Sequence, residues 1–233
     1  MDAWDKSLLA LRDDSPLDEV WATTQEFVRV WFPAGSPAAR PRLGLRARVA
    51  SWRRRRSMPR ALRQVHDLVE ANANIYKFNR FMPTSDDDEG EGEKLTFLSE
   101  CQGMWDWATS PTGDDPKVWC SNDENDGEPW REEPLRLSRF LLQSVLFEAV
   151  WDAPAGADTT PLRAEAHQAL VALVAPVVSA TPSVTGQRFY VREGALVMTQ
   201  EHDGACDVRI AARTAAGLEP FRSVVDDTWD NGF

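Results

Sequence analysis

A chain of 233 residues with 42% apolar side chains is long enough to bury a sizeable core. Charged residues make up 27%, ordinary for a globular chain, and the net charge of -11 disfavours non-specific attraction to nucleic acid or anionic lipid. Three cysteines without close spacing, Cys101, Cys120 and Cys206, argue against a disulfide framework and against a zinc cluster. The opening MDAWDKSLLALRDD holds acids early and no basic-then-apolar leader, and no apolar run approaches the ~20 residues of a membrane span. A reduced, cytoplasmic protein with no membrane partner is therefore expected.

In chain order, Ser15-Pro16-Leu17-Asp18 reads as a helix start. Ser15 suits the cap, Pro16 the first turn and Asp18 the positive end of the helix dipole. Val20, Trp21, Phe27, Val30 and Trp31 then form one apolar stripe that ends at Pro33. A Pro/Ala/Gly-rich stretch follows, and from Arg40 to Arg63 there are ten arginines and no acid. Met58-Pro59-Arg60 begins a second helix, with Leu62, Val65, His66, Leu68 and Val69 on its inner side. DDDEGEGE at 86–93 is too charged to pack. LTFLSEC and GMWDWATS predict a hairpin closed near Gln102-Gly103, and KVWCS a third strand. NDENDGE at 122–128 is a second acidic turn; Ser138 then caps an apolar helix, RFLLQSVLFEAVW, expected to be deeply buried. Thr160 and Pro161 open a helix through HQALVALVAPVV, RFYVR and ALVMTQ form a hairpin over Glu193-Gly194, CDVRIAAR is one more strand, and Thr214 caps a last helix near PFRSVV.

Little in this pattern offers turnover chemistry. Phosphate-loop, dinucleotide-glycine and nucleophile-elbow motifs are missing from the sequence. The histidines, at 66, 167 and 202, stand far apart in the chain and form no multi-ligand motif with the cysteines, so no metal or cofactor is expected. DENDGE lacks the spaced ligands and the distal glutamate of a calcium loop. The paired acids at 114–115, 123–126 and 132–133 read as hydrated loops rather than carboxylates with raised pKa values. Arg53 to Arg56 could meet phosphates, but from Thr84 to Glu133 sixteen acids face three bases, so nucleic acid is not the expected partner.

The stretch FLSECQGMWDW at 97–107 resembles the Glu-Asn-Gln-Gly-x-x-x-Trp strand pair of the SUKH superfamily, the Smi/Knr-like proteins. That family's Gly-Asp-Asp-Pro-x-Val-Trp/Tyr element is matched by Gly113-Asp114-Asp115-Pro116-Lys117-Val118-Trp119. Trp130-Arg131-Glu132-Glu133, the helix from Leu137-Ser138, Met58-Pro59-Arg60-Ala61-Leu62-Arg63 and Phe78-Asn79-Arg80-Phe81-Met82-Pro83 resemble further pieces in the same order. Cys101 departs from the pattern, standing where it has Asn. The resemblance covers about Val20 to Trp151 and implies a non-enzymatic α+β domain. The bacterial members it resembles are immunity proteins that bind toxins, many of them nucleases; fungal relatives are interaction hubs in cell-wall signalling.

The expected fold is therefore α+β, an antiparallel sheet packed against several helices, with a C-terminal helix–hairpin–helix extension. Residues 1–39 are expected to form an N-terminal helix and linker, 40–151 the SUKH-like core, and 152–233 an extension on the same domain. The expected function is neutralisation of a toxin with a basic surface by direct binding; the alternative is a regulatory or scaffold protein without a toxin partner. Glu100, Gln102, Gly103, Trp107, Pro116 and Trp119 are expected to define the fold, with Trp119 in its core and Trp105 and Trp107 on one strand face packed against the helix at 140–151, a partner surface being the alternative. Asp114, Asp115, Asp123, Glu124, Asp126 and an exposed Trp130 are expected to meet the partner. Asp114 and Asp115 have a second option, capping their own loop through its backbone.

Overall fold

The computed structural model describes residues 3–32, 58–82, 94–122, 130–159, 161–177, 183–202, 205–226 and 229–231. Among these residues the fold is mixed α+β, with two antiparallel sheets and several helices. It divides into a central unit, Phe32–Leu142, and a terminal unit that joins Met1–Trp31 to Gln143–Phe233. The divisions fall after Trp31 and after Leu142, whereas composition and resemblance suggest 39 and 151.

The central unit contains α3 (Arg60–Ala71) and the strands β1 (Arg80–Phe81), β2 (Leu95–Ser99), β3 (Trp105–Thr109), β4 (Lys117–Asn122) and β5 (Arg131–Arg136), which pair in chain order, all antiparallel. The expected hairpin is β2–β3, and β4 is the expected third strand. β5, REEPLR, is not expected from the sequence because its charges mask its alternation: Glu133 and Leu135 turn inward while Glu132, Pro134 and Arg136 stay exposed. Directly opposed residues share a sheet face, so Leu98, Trp107 and Cys120 form one row. All three are buried. Phe140, near the start of helix α4 (Leu137–Trp151), packs on this face, its ring meeting Phe97 at 5.8 Å and Trp107 at 5.6 Å between centroids.

Helix α4 begins in the central unit and ends in the terminal one. It is buried almost throughout, as its apolar composition predicts, leaving Trp151 exposed. Its cap differs from expectation. Ser138 is already helical, and the cap comes from a distant loop.

The terminal unit holds α1 (Ala3–Ala10), α2 (Leu17–Trp31), the strands β6 (Ala155–Thr159), β7 (Ala175–Pro176), β8 (Gln187–Arg192), β9 (Ala195–His202), β10 (Ala205–Ala212) and β11 (Asp230–Asn231), and α5 (Ala164–Leu173) after β6. The six strands form one sheet with the order β11-β6-β10-β9-β8-β7. On one face Ala157, Ile210 and Val197 pack with Leu170, Leu218, Phe221 and Trp229. On the other, Phe189, Val191, Leu196 and Met198 are buried, and α1 lies against β8. Trp4, Phe27 and Trp31 bind α1 to α2 as three mutually touching rings, 5.4–5.7 Å apart.

Three local expectations change. Helix α2 starts at Leu17, so Pro16 rather than Ser15 immediately precedes it; the Ser15 hydroxyl accepts the Arg12 N–H at 3.0 Å, closing the α1–α2 turn. The helix after β6 starts at Ala164 rather than beside Pro161. The final helix is replaced by two 3₁₀ turns, Ala215–Gly217 and Glu219–Phe221, because Gly217 and Pro220 interrupt any longer helix. The Arg40–Arg56 run, the 86–93 loop and Thr160 lie outside the described residues.

Candidate functional site

The β2–β3 turn is built by Glu100. One carboxylate oxygen, Oε2, accepts the Gln102 N–H at 2.8 Å and the Met104 N–H at 3.4 Å, while the Glu100 carbonyl accepts the Gly103 N–H at 2.9 Å. Gly103 takes φ 77°, a left-handed conformation that glycine adopts without strain. Gln102 stands exposed on this turn. Cys101, also exposed, donates its thiol hydrogen to Glu100 Oε1 at 2.9 Å. That bond, with some burial and the Glu100 charge, raises its pKa above 9.0, so the thiol is a weak nucleophile.

The Gly113–Pro116 loop serves two helix starts. Asp115 accepts the Ser138 N–H through Oδ1 and the Ser138 hydroxyl through Oδ2, both at 2.7 Å. The Pro116 carbonyl accepts the Leu137 N–H at 3.0 Å, and the Asp114 carbonyl accepts the Ala61 N–H of α3 at 3.0 Å. The first N–H groups of a helix have no partner inside it, so this loop satisfies donors that would otherwise need water. Asp115 thus caps α4 rather than its own loop. The Asp114 side chain remains exposed.

The tryptophans part company. Trp107 is buried and donates its indole N–H to Glu133 Oε1 at 3.0 Å. Glu133, 2% exposed, is no hydrated loop acid; the strand alternation of β5 is the sequence signal that places it inside. Trp105 is only half-buried, with the Arg131 guanidinium 5.5 Å from its ring centroid. Trp119, expected in the core, lies half-buried on the opposite face beside Ala108 and Glu132, with the Lys94 ammonium 5.2 Å from its ring. Its neighbours Val118 and Cys120 take the inward positions, leaving Trp119 the outward one. On the same strands Lys117 and Glu132 pair at 2.6 Å. Trp130 is half-buried rather than fully exposed, and Asp123, Glu124 and Asp126 lie outside the described residues.

Two further groups stand out only in the folded chain. His66, Asp67 and Glu70 bring potential ligand atoms within 4.8 Å of one another on α3, with His66 Nδ1 3.9 Å from each carboxylate. All three residues also make other interactions. Cys120, in the buried row beside Trp107, has its thiol pKa pushed up to about 11 by burial first and by Glu133 second, against a smaller opposing effect of Arg131.

The charge is unevenly divided. In the terminal unit 19 acids stand against nine bases, a net of -10, whereas the central unit carries 18 acids and 17 bases, a net of -1. The arginine run and the acidic loops fall within the same unit and cancel in its total. Among the described residues no helix is long and apolar enough to cross a membrane. No family model, curated protein or solved structure matches the chain.

Proposed function

We propose that the chain is a non-enzymatic binding protein of the SUKH type, an immunity protein that neutralises a toxin domain with a basic surface, such as a nuclease, by direct binding in the cytoplasm. The resemblance of residues 20–151 supports the class. The observation that carries the choice of partner is the surplus of ten negative charges in the terminal unit. A surplus of that size raises the encounter rate with a basic protein and repels nucleic acid. The polar groups of the motif stretch fit a scaffold role beside it: Glu100 holds a turn, Asp115 a helix start and Glu133 a buried indole. Asp114 and Trp130 stay with the proposed contact surface, joined by Asp123, Glu124 and Asp126.

The test is capture of partners by the tagged chain from lysate of its source cell, followed by assay of the purified partner alone and with stoichiometric chain. Loss of the partner's toxic activity in proportion to added chain supports immunity. Capture of regulatory proteins whose activity is untouched replaces it with the scaffold reading.

A further inference from the structure

We draw no further inference here: the strongest candidate, the His66, Asp67 and Glu70 cluster on α3, joins two exposed carboxylates to one histidine that all make other interactions, and no second observation in the structure points to an ion held among them.

Discussion

A buried indole that donates to a buried carboxylate ties packing to polarity at a single residue. Trp107→Phe keeps an aromatic ring against Phe140 but removes the donor to Glu133 Oε1, leaving a carboxylate at 2% exposure with one partner fewer. The expected loss is about 1–3 kcal/mol, read as a lower denaturation midpoint in urea. Trp119→Phe, on the half-buried opposite face, is expected to cost less, which separates the hydrogen bond from loss of indole area alone. Cys120 gives a pH-dependent companion. Its thiol is held at about 11 in the folded chain against an ordinary 9.0. A raised folded-state pKa stabilises the fold fully below the unfolded value, and that stability is lost as pH climbs through the folded one. Stability should therefore fall between pH 9 and 11, by about 2–3 kcal/mol from this thiol. Denaturation at pH 8 and pH 10.5 should show a smaller decline for Cys120→Ala than for the wild type. Equal declines would mean that the buried thiol has no part in it.

Elements are legible where their cause is local and hidden where it is distant. The β2–β3 hairpin, the β8–β9 hairpin and α4 announce themselves through alternation, turn glycines and apolar content. β6, AGADT, has poor strand formers and exists because β10 pairs along one edge and β11 along the other. Sequence proximity points to Ser138 as the α4 cap; the actual source, Asp115, lies 23 residues upstream. That origin makes a sharp prediction. Asp115→Ala removes both acceptors and should cost about 1–2 kcal/mol, while Ser138→Ala loses only the hydroxyl bond and should cost less. The double variant should match Asp115→Ala to within ~0.5 kcal/mol, since the two side chains act as one unit. Full additivity in thermal or urea unfolding would show them acting separately. Glycines offer a second contrast between elements. Gly103 has φ 77° with open space where an added methyl would sit, so Gly103→Ala should cost only the left-handed penalty, about 1–2 kcal/mol. Gly186 has φ 79°, and a Cβ there would sit 2.6 Å from the Glu201 carbonyl oxygen of β9. Gly186→Ala should therefore cost about 2–4 kcal/mol in the same unfolding measurement, the backbone penalty plus the clash.

At the scale of the whole molecule, the fold class is readable from element order, but the division of charge is not. Read linearly, residues 84–133 are an acidic block and 40–63 a basic one, and each invites its own partner. Both lie within the sequence range Phe32–Leu142, whose net is -1, while Met1–Trp31 and Gln143–Phe233 together make a unit of -10. Only contacts distant in sequence could reveal that grouping. The consequence concerns association rate. Steering responds to summed charge over roughly a Debye length, about 10 Å at 0.1 M salt, so acids without compensating bases should matter most. Asp13, Asp14 and Glu19, all exposed around the α1–α2 turn, belong to the unit with the surplus. Converting them to Asn, Asn and Gln should slow association with the captured basic partner several-fold at low salt and leave dissociation nearly unchanged. The same substitutions at Asp123, Glu124 and Asp126 remove equal formal charge from the near-neutral unit. There, a mainly electrostatic role predicts a smaller change in association rate, whereas direct contact predicts faster dissociation. Stopped-flow mixing at about 0.05 M and 0.5 M salt reads both rates, and the first effect should vanish at the higher salt as the Debye length shrinks to about 4 Å. A larger loss of association rate from the 123–126 variant would return the steering role to the central unit and give the motif-bearing domain the partner's first approach.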